Sequence, residues 1–430
     1  VDHRLLLTGT PVQNSLRELG NLLTLLLAQN KIPDGVRKPP RHREALAAIE
    51  ELNDLVERGV LRTLQVRAAP FILRRLKKDV MKDLPAKTGN TVHCALEPAQ
   101  QAQYTGELLK AKAECVKMRA RRDFVKNLFA RLRRICNHPL LGQSKFSDAD
   151  YEKLVEALRR VRPDFQKATL QKALGEVRGW SDYEVAAVVR DYGLSSLLGP
   201  HFTVSRAELM EGSAKVAQLV QLLQDQRKAG RKTLVFSQFT QFLDLIADVL
   251  KAIDLSFARL DGATNVGERP EIVRNFQDPT SGVDVFLLST KAGGVGLNLT
   301  AADSVVLMDL SFNPQDNRQA EDRVHRLGQT RPVSIYYFVC RGTIEEQVLK
   351  INLNKMALDY KFGGQKMLLQ AEGPPKAAAA EDAPVEEDED DKDEEEEEED
   401  EEVDTIALQK QAKKAEQEVF AELERACAAL

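Results

Sequence analysis

The chain has 430 residues, 43% of them hydrophobic, which is enough apolar surface for two or three cores. No apolar run reaches the roughly 18 residues that a membrane-spanning helix needs. The five cysteines (Cys94, Cys115, Cys136, Cys340, Cys427) contain no CxxC pair, which argues against a zinc site or a disulfide framework. The net charge of −5 hides a split: residues 381–404 hold 19 acidic residues and one lysine, a local charge of −18, so the other 406 residues carry +13. A basic body with an acidic tail suits contact with nucleic acid, or with basic proteins through the tail.

Taken in chain order, Leu5-Leu6-Leu7 reads as a strand already under way at Val1, so the sequence is expected to be the C-terminal part of a longer protein. The small-residue loop Thr8-Gly9-Thr10-Pro11 follows, and then a helix with Leu16, Leu19, Leu23 and Leu26 at helical spacing. Residues 31–45 read as loop and 46–58 as a short amphipathic helix. The apolar-then-basic run 71–78 precedes a strand at Thr91–Leu96. Residues 99–135 read as one long helix or a pair, with ten basic and three acidic residues between Glu107 and Arg134. Several short helices fill 147–198.

From Ser213 the pattern turns regular. Apolar strands at Thr233–Phe236, Phe257–Leu260, Val283–Leu288, Val305–Met308 and Ser334–Val339 alternate with helices, including one over 314–326 and one over 343–358 that opens with a Thr343/Glu346 capping box. This alternation predicts a parallel sheet covered on both faces, with ligands at the carboxyl ends of its strands. The loops after Phe236, Leu260, Leu288 and Leu310 should line that edge. Residues 371–404 cannot bury a core and should be disordered. Residues 405–426 suit a last amphipathic helix.

Two segments carry chemistry. Ser289-Thr290-Lys291-Ala292-Gly293-Gly294-Val295-Gly296-Leu297-Asn298 follows a buried strand, and its glycines allow close backbone approach to phosphate oxygens; an ordinary glycine-rich turn is the other reading. Gln319, Arg323 and Arg326 stand at i, i+4 and i+7, so on a helix ended by Gly328 all three share a face. Two guanidinium forks on one face suit a triphosphate, and a solvated basic helix edge is the alternative. Ser237 and Gln238 suit a nucleic-acid backbone, although Ser237 as a simple helix cap fits equally well.

In this order, Leu7–Asn14, Arg134–Leu140, Phe236–Phe239, Ser289–Thr300 and Gln319–Gln329 resemble the motifs of SWI/SNF-type chromatin-remodelling ATPases, most closely the Etl/Fun group. The resemblance covers most of residues 1–370. It implies an α/β fold of two RecA-like lobes with ATP and Mg²⁺ between them. Residues 1–98 would end lobe one and carry a family-specific protrusion. Residues 99–205 would be a helical insertion or linker and 206–370 a complete lobe two, followed by an acidic linker at 371–404 and a C-terminal helix at 405–430.

The resemblance further implies that Thr8, Gly9 and Thr10 couple nucleotide state to DNA. Ser237, Gln238, Ser289, Thr290, Lys291 and Gly293 would contact DNA. Gly296, Asn298 and Gln319 would face the nucleotide, and Arg323 and Arg326 would be arginine fingers. No metal ligand is expected within the chain, because no GxxxxGK[ST] loop and no Asp-Glu-x-His box occurs in it; the Mg²⁺ ligands should lie upstream, and the fragment alone should not hydrolyse ATP. Expected partners are double-stranded DNA, nucleosomes and histones, with no membrane, for a nuclear remodeller acting as a single subunit or in a small complex. A strand-separating helicase and a non-catalytic chromatin-binding module are the alternatives.

Overall fold

The computed structural model describes residues 5–6, 77–81, 83–117, 122–143, 145–291 and 296–353. Thr8, Gly9, Thr10, Gly293, the early helices, the acidic tail and the C-terminal helix expected from the sequence lie outside the described residues. Residues 83–352 belong to one unit, which holds the elements below.

Its centre is a six-stranded sheet: β1 (Lys87–Cys94), β2 (Lys232–Ser237), β3 (Phe257–Leu260), β4 (Val285–Ser289), β5 (Ala302–Leu307) and β6 (Val333–Cys340). Their order across the sheet is β1-β6-β5-β2-β4-β3, and all five pairings are parallel. β4 and β5 are buried at every position and β2 at all but its first, because helices cover both faces. The helix Thr240–Ala252 buries Phe242, Leu243, Leu245, Ile246, Ala247, Val249 and Leu250 against it. The interior strands fall where the apolar runs place them, and the parallel arrangement brings the ends of β2, β4 and β5 to one edge.

β1 pairs in register with β6 over eight residues, from Lys87 with Val333 to Cys94 with Cys340. The helices Pro98–Lys117 and Arg122–Asn137 add Tyr104, Leu128, Phe129, Leu132, Ile135 and Cys136 to the same core as the sheet. Residues 87–141 therefore pack with the later strands.

A second core lies among the helices that follow. It builds its own core from Tyr151, Leu154, Leu158, Phe165, Val177, Val185, Val189 and Phe202. Its helices start where Ser-x-x-Asp/Glu boxes occur: Ser147 with Asp150 and Ser181 with Glu184, each serine capping the amide three residues on while the acid returns to the serine amide. This part is fastened to the sheet layer by Asp248, which accepts from the Tyr183 hydroxyl at 2.8 Å and from Arg190 Nη1 at 2.6 Å. Gln241 Nε2 also donates to Glu184 Oε1 at 2.6 Å.

Candidate functional site

At the carboxyl edge of β2 the chain turns at Ser237-Gln238-Phe239. Ser237 is fully buried, and its hydroxyl donates to Asp309 Oδ2 while accepting the Phe239 amide at 3.0 Å. Its hydroxyl thus shapes the turn. Gln238 is the residue presented, and its own amide donates to Asp309 Oδ1 at 2.9 Å.

Asp309, just past β5, is 2% exposed. Besides these two donors it faces Asn137 Nδ2 at 3.4 Å and Arg133 Nη2 at 3.7 Å, both from the helix Arg122–Asn137. Arg133 lies over the rings of Phe129 and Phe239 and donates to the Leu310 carbonyl at 2.6 Å. One carboxylate thus ties the β2 turn, the β5 end and this helix together. A lone Asp after an apolar strand was its only signal in the sequence.

The β4 edge continues this surface. Thr290 N–H donates to the Ser237 carbonyl at 3.1 Å, which sets the two loops side by side. Ser289 is buried at the strand end, Thr290 half-buried and Lys291 exposed. Further on, Gly296 adopts φ +47°, a left-handed conformation that suits glycine, and both Gly296 and Asn298 are exposed. The Asn298 carbonyl is held by Gln277 Nε2 at 2.8 Å.

The arginines sit differently from their expected helical face. The helix ends at Glu321, and residues 322–328 form consecutive turns. The Glu321 carbonyl accepts from both Val324 and His325, at 3.1 Å each, and the Arg323 carbonyl is taken by the Leu299 amide at 3.0 Å. Val324 is fully buried. These tertiary bonds and the burial of Val324 stop the helix before the i+4 ladder reaches Arg326. Gln319 stays on the helix, half-buried, while Arg323 and Arg326 lie on the turn. Gly328 still works as a turn residue, at φ +96°.

Arg326 Nη1 donates to the Leu297 carbonyl at 3.1 Å, so this turn and the loop after Gly296 are joined at two points. Burial and the neighbouring Arg326 charge hold the Arg323 pKa below its ordinary value, though a guanidinium stays charged. Like charges held so close favour a shared anion with phosphate geometry. Gln329 locks the far end of the turn: its Nε2 donates to the Ala302 carbonyl at 2.8 Å, and its Oε1 accepts the Thr330 and Arg331 amides.

β1 grips the other side of this turn. Glu321, 4% exposed, accepts from Lys87 Nζ at 2.8 Å and from the Tyr337 hydroxyl at 2.8 Å. The His325 ring nitrogen Nε2 donates to the Pro85 carbonyl at 2.9 Å. Gly89 makes room for Tyr337, since a Cβ there would lie 3.2 Å from the ring.

Below the edge, Lys215 is fully buried and donates to Asn137 Oδ1 (2.9 Å), the Met308 carbonyl (2.7 Å) and Glu345 Oε1 (2.7 Å). Burial alone would lower its pKa; Glu345 and the nearby thiols more than offset this and raise it. Cys136, Cys340 and Glu345 offer donor atoms within 4.8 Å of one another, but the Lys215 ammonium already supplies the positive charge there.

Residues 1–141 match the family model of the SNF2-related domain, and residues 214–328 that of the helicase conserved C-terminal domain. The protein CHROMATIN REMODELING 19 of Arabidopsis thaliana is 35% identical over 372 residues, covering 83% of this chain and 47% of that protein. The ATP-dependent helicase fft1 of Schizosaccharomyces pombe is 36% identical over 377 residues, covering 86% of this chain and 38% of its own length. The chain thus spans less than half the length of these relatives. Among solved structures, the crystal structure of the C-terminal part of the Fun30 ATPase domain superposes with a TM-score of 0.55 at 30% identity, over 62% of this chain and 89% of that one.

Proposed function

Because the chain belongs to the SWI/SNF-type, SNF2-related family of helicase-like ATPases, we propose that it is the C-terminal part of an ATP-driven motor that tracks double-stranded DNA and remodels nucleosomes. The observation that carries this reading is the turn bearing the half-buried Arg323 and Arg326, joined to the loop of Gly296 and Asn298 by the Arg326 guanidinium on the Leu297 carbonyl and by the Arg323 carbonyl on the Leu299 amide. Their fork geometry and mutual repulsion fit a phosphate-bearing ligand.

ATP would supply the transferable phosphoryl group, and Arg323 and Arg326 would balance the charge that builds on it. Gln319, Gly296 and Asn298 would face the same nucleotide. The phosphate loop and the Mg²⁺ ligands would come from the family's first lobe, since residues 1–430 contain no such loop. Gln238, Thr290, Lys291 and Gly293 would follow the DNA backbone, with Ser237 and Ser289 shaping their loops. The Thr290 amide on the Ser237 carbonyl sets the β2 and β4 loops side by side, which supports reading them as one DNA-facing edge. A lobe closure that brings phosphate to the arginines would displace the DNA loops with it. Histones, a nuclear location and action as a single subunit or small complex follow from the family reading.

The test is DNA-stimulated ATP hydrolysis by the protein completed upstream, beside its Arg323→Ala and Arg326→Ala forms. Turnover should rise with duplex DNA and fall by on the order of 10³ in either variant, with DNA affinity nearly unchanged. A variant with normal turnover removes that arginine from the site. No hydrolysis in any form makes the chain a chromatin-binding module. Efficient strand displacement on naked duplex replaces tracking with strand separation.

A further inference from the structure

Glu321 closes the helix that leads into the arginine turn, and its carbonyl accepts the Val324 and His325 amides. Both oxygens of its buried carboxylate are held from outside the turn, by Lys87 Nζ and by the Tyr337 hydroxyl. Lys87 comes from β1, which is joined to this part of the sheet by pairing with β6. Just before it, the Pro85 carbonyl receives His325, the residue immediately preceding Arg326. From the other side, Leu297 and Leu299 hold the turn. The arginine turn is therefore strung between two anchors, and one of them is the short stretch Pro85–Lys87 through which the chain enters the unit at Asp83.

We propose that Lys87 is a positioning residue for Arg323 and Arg326: by holding the buried Glu321 carboxylate it sets the turn that carries them. The inference rests on the arginine-finger reading. A buried carboxylate deprived of its cation is destabilised, so losing Lys87 loosens Glu321 at the start of the turn. A displacement of about 1 Å at a group that meets the transition state lowers turnover by on the order of a hundredfold. Gly89 belongs to the same device, since a Cβ there would lie 3.2 Å from the Tyr337 ring and press on the side chain that reaches Glu321.

The experiment compares wild type, Lys87→Met, Lys87→Arg and Gly89→Val in the upstream-completed protein. Lys87→Met should lower kcat at saturating duplex DNA by at least tenfold while the DNA concentration for half-stimulation stays within about twofold. Lys87→Arg, which keeps the cation, should recover most of the rate, and Gly89→Val should resemble Lys87→Met. An unchanged kcat in Lys87→Met overturns the proposal. So does a loss that arginine fails to restore, or one matched by an equal loss of DNA response, since either marks a merely structural role.

Amide exchange in the 430-residue chain separates this failure from that of the functional reading. Lys87→Met should speed exchange at Arg326 and Gln329 while β4 amides stay protected. Unchanged exchange at the turn overturns the clasp even if the protein proves not to be an ATPase.

Discussion

Acidification should weaken this protein through His138 in a way that can be worked out in advance. His138 is fully buried where the helix Arg122–Asn137 gives way to the next turn. Its Nδ1 accepts the Leu140 amide at 3.1 Å, and Nε2 faces the Leu209 carbonyl at 3.3 Å. An Nδ1 that accepts is unprotonated, so the ring is neutral. Burial pushes its pKa down from 6.5 to about 4, against the smaller pull of the Leu209 and Glu208 backbone. Because the folded pKa is depressed, the unfolded chain binds the proton more readily. The contribution is complete above about pH 6.5 and is lost as pH falls towards 4. Linkage for a single site gives a loss of about 2 kcal/mol between pH 7 and 5, and about 3 kcal/mol in all.

The assay is urea unfolding at pH 7, 6 and 5 for wild type and His138→Asn, where asparagine keeps an acceptor for the Leu140 amide. The variant should be less stable at pH 7 yet lose about 2 kcal/mol less on going to pH 5. Parallel pH profiles for the two proteins would refute the reasoning.

Two further outcomes are expected. Lys215→Met leaves Glu345 buried without its cation and should cost about 4 kcal/mol in denaturant unfolding; adding Glu345→Gln should restore part of this, and strictly additive losses would show that the pair is not coupled. Deleting 381–404 should leave DNA-stimulated hydrolysis intact in the completed protein while changing histone binding, so lost hydrolysis would contradict a spacer role for the acidic run.

The sheet was legible in the sequence wherever its signal was local. Leu234-Val235-Phe236, Phe286-Leu287-Leu288 and Val305-Val306-Leu307 are apolar runs of strand length between polar turns, and all three are buried strands. β1 carried a weaker signal: Lys87-Thr88-Gly89-Asn90 is polar because it lies at the sheet edge, and its partner is remote in sequence, so nothing nearby announced the pairing. The arginine segment shows the opposite error. Its spacing at i, i+4 and i+7 is a sound helical pattern, but the Leu299 amide and the burial of Val324 override it. The same limit hid Asp309, Lys87 and Glu321, whose roles exist only through contacts across the fold. Ser237 was legible as a strand-end residue, whereas its bond to Asp309, seventy-two residues away, was not.

The edge position of β1 also has a consequence for biosynthesis. Thr88 and the residue it bonds, Val333, are 245 residues apart. At ribosomal rates β1 leaves the ribosome on the order of tens of seconds before β6 exists to receive it. During that interval its backbone donors and acceptors are open to any passing strand. Lys87, Thr88, Asn90 and Thr91 are all exposed in the finished sheet, and this polar, glycine-interrupted edge resists stray pairing while it waits. Replacing these residues with valine or isoleucine would raise the strand propensity of β1 and, during synthesis, the risk of aggregation.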